Sequence, residues 1–337
     1  MTLRLAPALG IAVAGSGVAR AKAYSNEDAW RVRLGERWRD ELAQREWSAD
    51  RPREAWGVES REWIEPPADA ASLAEAAARA ALADAGRDGA SVDLLVVATS
   101  TPPRITSSLA GRVGAALGVR GACIDVRAGG AGGLFAWTTA AALGARRALV
   151  VAAETPSAYF AEDDLSTSML FGDGAGALVL ERDASHGERG LVLGWMGRED
   201  APGESFTVPG GLPPTRAALE EGRYRLRRGS ADYESALGRL RLEIAARLGD
   251  AALAAGEVAL FLPYAVTSRS ARDEAGALGV APDRLATSLA RHGCMGCASV
   301  LVALHEARAA GRARAGDLVA TTAVAGGVSW AALLGRL

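Results

Sequence analysis

Two similar glycine-led segments, each running into an apolar strand, lie about 150 residues apart in this chain. The first is Gly172-Asp-Gly-Ala-Gly-Ala-Leu-Val-Leu and the second is Gly326-Gly-Val-Ser-Trp-Ala-Ala-Leu-Leu. Segments that recur at such a distance are typical of a duplicated structural unit, and each copy then has the size of a small domain. We therefore predict two related halves, residues 1–182 and 183–337.

Each half alternates short apolar runs with alanine-rich stretches, the order that α/β layers produce. The runs predicted as strands are Gly10–Ala14, Leu94–Ala98, Cys123–Val126, Ala148–Ala152, Gly176–Leu180, Leu191–Trp195, Val258–Leu262, Leu318–Thr322 and Val328–Leu334. The predicted helices are one that opens at Ser72 with the capping box Ser72-Leu-Ala-Glu, and Ser107–Leu117, Ala131–Leu143, Ala231–Leu248, Ser268–Ala277 and Gly296–Ala310. The sequence thus predicts an α/β fold.

The segment Asn26–Trp63 interrupts this alternation. It carries five of the eight tryptophans and many arginines, a composition unlike either repeated half. We interpret residues 26–66 as a cap inserted into the first half.

Charge and cysteine content exclude several classes of protein. The 337 residues carry a formal net charge of −2, so no electrostatic footprint for nucleic acid or a membrane is present. Lys22 is the only lysine, which argues against Schiff-base chemistry. Cys123, Cys294 and Cys297 give neither a disulfide framework nor a four-ligand zinc site. With no signal segment or membrane span, we expect a cytoplasmic protein without a metal.

The stretch Ile124-Asp-Val-Arg-Ala-Gly-Gly130-Ala predicts a buried strand that runs into the N-terminus of an apolar helix. Unpaired backbone N–H groups at such a turn favour a thiolate or an oxyanion, so a nucleophile is often placed there. Gly130 has no side chain that can attack a substrate. The turn therefore offers backbone donors without a nucleophile.

Several segments, taken together, resemble β-ketoacyl-acyl-carrier-protein synthase III over nearly the whole chain. They are Trp56-Gly-Val-Glu-Ser-Arg61, Leu94-Leu-Val-Val-Ala-Thr-Ser-Thr-Pro-Pro, Leu170-Phe-Gly-Asp-Gly-Ala-Gly-Ala and Arg291-His-Gly-Cys-Met-Gly-Cys-Ala-Ser. The resemblance implies the thiolase fold, with two duplicated βαβαβαββ halves in five α-β-α-β-α layers. It also implies a homodimer, no tightly bound cofactor, and substrates carried as thioesters of coenzyme A or of acyl-carrier-protein phosphopantetheine.

The family uses a Cys–His–Asn triad, and all three positions differ in this chain. The cysteine position falls on Gly130, the histidine position on Tyr264 and the asparagine position on Cys294. The only asparagine, Asn26, is far from the second half, so a shifted alignment restores nothing. We therefore expect that the chain is not a standard decarboxylative ketosynthase.

The altered site leaves several interpretations open. Backbone groups at Gly130, Gly326 and Gly327 can still form an oxyanion hole. The glycine at position 130 either makes room for a bulkier ligand or is present only because the backbone of the turn requires glycine. Tyr264 either donates a hydrogen bond or fills the space of the histidine. Cys294 is either a buried hydrophobe or a relocated nucleophile whose pKa a helix N-terminus lowers, with His292 as its base.

Glu154 ends a predicted strand at the edge where ligands of α/β proteins bind, which makes it a candidate base. The resemblance further places substrate contacts at Arg269, Trp56 and Arg61. Asp164-Leu165 stands where relatives have Asp-Arg, so an arginine that stacks on coenzyme A is missing and a carrier-protein thioester fits better.

Two functions are compatible with this pattern. One is a cysteine-independent acyltransferase or condensing-type enzyme of fatty-acid or polyketide-type metabolism, acting on acyl-carrier protein or acyl-coenzyme A. The other is a non-catalytic subunit that forms a heterodimer with an active ketosynthase III-like partner.

Overall fold

The computed structural model describes residues 2–200, 206–229 and 231–337. Its strands are β1 (Leu3–Leu5), β2 (Ala8–Leu9), β3 (Ile11–Arg20), β4 (Lys22–Ser25), β5 (Ser60–Trp63), β6 (Leu94–Ala98), β7 (Ala122–Val126), β8 (Arg147–Glu154), β9 (Gly174–Arg182), β10 (Gly190–Arg198), β11 (Phe206–Thr207), β12 (Arg227–Arg228), β13 (Leu260–Pro263), β14 (Leu318–Ala325) and β15 (Ser329–Arg336). Its helices are α1 (Asn26–Leu34), α2 (Trp38–Gln44), α3 (Arg51–Trp56), α4 (Ala70–Asp84), α5 (Leu109–Leu117), α6 (Gly132–Ala142), α7 (Leu165–Leu170), α8 (Arg216–Glu220), α9 (Ala231–Ala255), α10 (Ser268–Leu278), α11 (Leu289–His292) and α12 (Ser299–Ala309).

The first sheet has the strand order β3-β9-β8-β6-β7. The pairs β3–β9 and β9–β8 are antiparallel, whereas β8–β6 and β6–β7 are parallel. β6 is buried at every residue and β8 at every residue but its first, as their unbroken apolar sequences require of strands covered on both faces.

The second sheet repeats this pattern with the order β1-β10-β15-β14-β13. Here β10–β15 and β15–β14 are antiparallel and β14–β13 is parallel. An isolated parallel bridge between Phe261 and Leu285 lies where β7 lies in the first sheet. The predicted duplication is confirmed. The sheets differ at this position, because β7 is a five-residue strand and its counterpart in the second sheet is a single bridge.

Helices separate and cover the two sheets. α4 and α5 pack on the outer face of the first sheet, α6 and α12 lie between the sheets, and α9 and α10 cover the second sheet. Three apolar cores fill the spaces between these layers. The five-layer α-β-α-β-α arrangement of the thiolase fold is therefore confirmed.

Both central helices begin with a glycine-led 3₁₀ turn, Gly129–Ala131 before α6 and Gly296–Ala298 before α12. The predicted helices there start one and three residues too early, because these turns precede the α-helical hydrogen bonds. The two helix starts are in contact, since a Cβ on Gly133 would lie 2.3 Å from the carbonyl oxygen of Cys297. Glycine at position 133 permits this close approach.

The predicted cap consists of α1, α2 and α3, enclosed by the antiparallel pair β4–β5. The side chain of Arg61 joins two parts of the cap to each other and joins the cap to the first half. This side chain is fully buried and donates to Oδ1 of Asn26 at 2.5 Å and to the carbonyl oxygen of Met169 at 3.1 Å. The division into halves at residue 182, with an inserted cap, stays a prediction.

His292 ties the cap to the second half. Its Nδ1 lies 2.8 Å from Oε1 of Glu62 on β5, and its Nε2 lies 2.7 Å from Oε1 of Glu306 on α12. Burial lowers the pKa of His292, but the hydrogen bonds with Glu306 and Glu62 outweigh burial and raise that pKa above its usual value. The imidazole of His292 therefore joins β5 to α12 through its contacts with two carboxylates.

The start of α4 differs from the prediction. Asp69, not Ser72, is the N-cap: its Oδ1 accepts the N–H of Ser72 at 2.8 Å, while the Ser72 hydroxyl accepts the N–H of Asp69 at 2.9 Å. The capping box predicted between Ser72 and Glu75 was wrong, because Ser72 serves as the third helical residue of an earlier box. Within the described part of the chain, no helix is both long and apolar enough to cross a membrane.

Candidate active site

A cavity of about 340 Å³ lies beside the turns Gly129–Ala131 and Gly326–Val328, which face each other. The first turn follows β7 of the first sheet, and the second joins β14 to β15 of the second sheet. The polar side chains that line the cavity are Ser100, Thr101, Glu154, Arg228, Glu234, Arg241, Tyr264, Thr267 and Ser270. Both sheets and α9 thus supply polar groups to one space.

Gly130 lines this cavity, and Tyr264 occupies the space that a side chain at residue 130 would need. A Cβ on Gly130 would lie 2.3 Å from Cζ and 2.5 Å from Cε1 of Tyr264. Tyr264 reaches this point from the end of β13, where its N–H bonds to the carbonyl oxygen of Thr322 at 2.7 Å. The space left by glycine is therefore filled by the tyrosine ring, and the idea that it receives a bulkier ligand does not hold for this arrangement.

Cys294 lies on the far side of the Tyr264 hydroxyl, with 3.5 Å between Oη and Sγ. It is fully buried and does not line the cavity. Burial raises the pKa of Cys294, although the Tyr264 hydroxyl and the N–H of Gly296 oppose the shift. The expectation that a helix N-terminus lowers this pKa was wrong, because α12 begins only at Ser299 and desolvation outweighs the local donors.

The Tyr264 hydroxyl is equally removed from water. Burial raises the pKa of Tyr264 well above its usual value, and the neighbouring Cys294 adds to the shift. His292 is committed to Glu62 and Glu306 and forms no hydrogen bond with Cys294, so it does not supply a base for that thiol. The three positions that the resemblance assigns to the triad thus hold a glycine, a buried phenol and a buried thiol.

Glu154 ends β8 and faces the cavity, as its position in the sequence predicts. Its Oε2 accepts the Thr101 hydroxyl at 2.7 Å, and its Oε1 accepts the N–H of Ser100 and the thiol of Cys297, both at 3.0 Å. Burial raises the pKa of Glu154 despite these donors. A carboxyl group with a raised pKa in a cavity is suited to proton transfer.

Of the residues predicted to form the oxyanion hole or to contact substrate, some line the cavity and others do not. Gly326 lines the cavity, and a Cβ on Gly129 would lie 3.5 Å from the backbone nitrogen of Gly326. Gly327 has φ +74° and does not line the cavity. Trp56 lines the cavity. Arg269 is exposed, 3.8 Å from Asp273, next to the lining residues at the start of α10.

Arg61 lies outside the cavity lining, and its two terminal nitrogens, Nη1 and Nη2, donate to protein oxygens. Burial lowers the pKa of Arg61 to about 10. The substrate contact predicted for Arg61 is therefore absent in this structure, because the cap encloses its guanidinium.

The sequence analysis missed Arg241, which α9 places in the cavity wall. The Nη2 of Arg241 donates to the carbonyl oxygen of Val324 at 3.2 Å, and the side chain is 7% exposed. The spacing of Glu234, Leu237, Gly238 and Arg241 along one helical face is a signal that was present in the sequence.

The layers and the cavity between the two sheets define a thiolase-fold protein. The family profile described as 3-oxoacyl-[acyl-carrier-protein (ACP)] synthase III matches residues 124–195, and the profile for the C terminal of that synthase matches residues 248–337. The chain is 36% identical over 288 residues to β-ketoacyl-[acyl-carrier-protein] synthase III of Rhodobacter capsulatus, covering 83% of this chain and 88% of the relative.

A second relative, from Rhodospirillum rubrum and of the same name, is 37% identical over 85% of this chain and 90% of its own length. Among solved structures, the 3-oxoacyl-(acyl carrier protein) synthase III of Pseudomonas aeruginosa PAO1 superimposes with a TM-score of 0.82 at 27% identity, covering 97% of this chain and 98% of the other. The priming β-ketosynthase of the R1128 polyketide pathway gives 0.80 at 25% identity, covering 99% and 98%. The chain belongs to the 3-oxoacyl-acyl-carrier-protein synthase III family.

Proposed function

We propose that this protein binds an acyl thioester in the cavity and transfers the acyl group directly to an acceptor, without a covalent acyl-enzyme. The observation that carries this proposal is the contact between Gly130 and Tyr264, which leaves no room for a nucleophile at residue 130. Of the described residues that line the cavity, none is a cysteine. Direct transfer needs proximity and stabilisation of the oxyanion, not a covalent intermediate.

Glu154 is the proposed base. Its carboxylate takes a proton from an acceptor hydroxyl or amine as that atom forms a bond to the thioester carbonyl carbon. The C–S bond then breaks, and Glu154 returns the proton to the leaving thiolate, so charge and atoms balance. Backbone N–H groups at Gly130 and Gly326 are the proposed donors to the carbonyl oxygen.

Acyl-carrier protein is the proposed source of the thioester, with acyl-coenzyme A as the alternative source. Trp56, which lines the cavity, is the proposed contact for pantetheine, and the exposed Arg269 is the proposed contact for the phosphate. Carrier-bound phosphopantetheine requires no contact with adenine, which agrees with Leu165 at the position where relatives place a stacking arginine.

The test uses an acyl-carrier protein loaded with a short acyl chain and ethanolamine as a probe that offers both an amine and a hydroxyl. We expect thiol release and an acylated probe, and intact-mass spectrometry of the protein should find no acyl adduct on the protein. Glu154→Gln should slow transfer about 100-fold or more, the usual range for loss of a general base. Exposed Glu188→Gln is the matched control and should keep full activity.

An acyl adduct on Cys294 would contradict direct transfer and support the relocated nucleophile instead. Full activity of Glu154→Gln would remove Glu154 from the mechanism.

A non-catalytic subunit is the second candidate, favoured by the ring of Tyr264 at the reaction centre. This candidate predicts a heterodimer with a relative that keeps the Cys–His–Asn triad. Light scattering of a mixture of the two chains would then give the mass of a mixed dimer, and the partner's condensation rate would rise. A homodimer of this chain that does not associate with the intact relative would contradict the non-catalytic role.

A further inference from the structure

We infer that the cavity binds a carboxylate group through Arg241. The inference rests on the proposed function only in so far as the carboxylate belongs to one of the two reactants, the acyl chain or the acceptor. Arg241 is more than nine-tenths buried, yet its side chain forms part of the cavity wall.

Only one nitrogen of the Arg241 guanidinium donates a hydrogen bond to a described protein group. Nη2 donates to the carbonyl oxygen of Val324, and among the described residues neither Nε nor Nη1 has a hydrogen-bond partner. In the described part of the chain, no carboxylate forms an ion pair with this side chain. A buried positive charge without a paired anion is unfavourable. Unlike the enclosed Arg61, Arg241 lines a cavity, so a ligand anion can reach it and supply the missing partner.

The carboxylates around Arg241 do not supply that anion. Glu234, on the same face of α9, is bound to Arg228 at 2.5 and 2.7 Å. Glu154 accepts hydrogen bonds from Thr101, Ser100 and Cys297 and forms no ion pair with Arg241.

Glu274 is the remaining acidic neighbour, and it compensates Arg241 only in part. It accepts the Thr322 hydroxyl at 2.9 Å, and its other oxygen has no partner. Burial raises the pKa of Glu274 to about 7, although the charge of Arg241 opposes the shift. A large share of Glu274 is therefore neutral near pH 7, and the positive charge of Arg241 remains available.

A carboxylate is the anion that suits this place. A planar guanidinium presents paired donors that match the two oxygens of a carboxylate. Val324, which accepts from Arg241, directly precedes Ala325 and Gly326 at the proposed oxyanion turn. The carboxylate would thus lie within one small cavity with the thioester carbonyl, as the end group of a short acyl chain or the acid group of an acceptor.

Equilibrium binding measured by calorimetry tests the inference without turnover. Glutaryl- and valeryl-pantetheine have the same number of acyl carbons and differ in the terminal carboxylate. In a second arm, β-alanine is compared with propylamine on protein saturated with valeryl-pantetheine. We expect the carboxylate to improve affinity about tenfold or more in one of the two arms, the usual effect of a charge-assisted hydrogen bond. The arm that responds identifies which reactant carries the carboxylate.

Arg241→Gln should abolish that preference while valeryl-pantetheine still binds, and Arg241→Lys should keep part of it. Arg239→Gln, an exposed arginine on the same helix, is the control and should keep all of it. No preference in either arm with the wild type, or a preference that survives in Arg241→Gln, would overturn the inference. Transfer of the valeryl group to ethanolamine reports on the proposed function separately, because neither reactant carries a carboxylate.

Discussion

The ring of Tyr264 stands where a side chain on residue 130 would stand, with its Cζ 2.3 Å from the position of a Cβ. The two residues belong to different halves and are complementary in volume. Either residue alone looks like a lost catalytic group, but together they form a packed pair. A larger residue at position 130 therefore collides with the ring unless Tyr264 is changed as well.

We predict that Gly130→Ala destabilises the protein by about 1–3 kcal/mol, the usual cost of overpacking a core. In a Tyr264→Ala background the same change should cost much less, because the clashing ring is gone. Urea unfolding of the four proteins measures the coupling. Gly276→Ala, in α10 with open space around it, is the control and should stabilise by about 0.5–1 kcal/mol. Equal costs of Gly130→Ala in both backgrounds would contradict the clash.

Gly130→Cys alone should give no malonyl condensation. A cysteine there collides with Tyr264, and neither Tyr264 nor Cys294 replaces the histidine and asparagine that stabilise an enolate. The measurement is formation of the 3-ketoacyl thioester from acyl-coenzyme A and malonyl-acyl-carrier protein, because carbon dioxide release alone also reports decarboxylation without condensation. Measurable condensation by this single variant would refute the expectation.

Cys294 should resist alkylation in the native protein. Burial raises its pKa, so the reactive thiolate is scarce at pH 8 and the sulfur is out of reach. Iodoacetamide followed by peptide mapping should label half-buried Cys123 first, and Cys294 and Cys297 only after unfolding. Rapid native labelling of Cys294 would revive it as a nucleophile. By the same reasoning, Cys294→Ala should keep full transfer activity.

Stability should fall as the pH rises above about 6.5, the usual pKa of histidine. The pKa of His292 is raised in the folded state, so its contribution is complete below the unfolded pKa and is lost as the pH rises through the folded pKa. Thermal unfolding between pH 5 and pH 9 measures this slope. His292→Gln should flatten it and cost about 1–3 kcal/mol at low pH, whereas His186→Gln should leave it unchanged. The buried carboxyls of Glu274 and Asp173, whose pKa values are raised to about 7 and about 6, leave a residual slope, so an unchanged slope above pH 7 in His292→Gln would contradict the assignment.

Thr101→Val should move the acidic limb of the transfer rate to higher pH. The Thr101 hydroxyl opposes the raised pKa of Glu154, so its removal raises that pKa further and the base is formed at higher pH. Thr101→Ser keeps the hydroxyl and should keep the profile. A pH–rate profile of acyl transfer for the three proteins measures the shift, and identical profiles would contradict a role for Glu154.

The layers were predictable because they rest on local patterns. Apolar runs such as Leu94–Ala98 and the recurrence of the closing segments are visible along the chain, and the family resemblance implied how the layers stack. The fit of Tyr264 against Gly130 was not predictable, since it depends on the distance between two residues that are far apart in sequence. The raised pKa of Cys294 likewise comes from burial, which a helix-start pattern does not report.

Arg241 was missed for a different reason. Charged residues on an arginine-rich helix such as α9 normally face water. The face shared by Glu234, Leu237, Gly238 and Arg241 is visible in the sequence, but the sequence does not show that a cavity lies against that face and not against the exposed Arg239. Only the placement of the helix over the cavity separates them.

The first residues of the chain cross to the second sheet, where β1 and β2 both pair with β10. The opening segment of one half therefore completes the edge of the other. A chain cut after residue 182 would deprive the second part of that edge and expose β10 to pairing with other molecules. To express the second half alone, one would have to attach residues 3–9 to it so that β10 keeps its partner strands. The second repeat therefore depends on the first for a covered sheet edge, although the two share a common pattern.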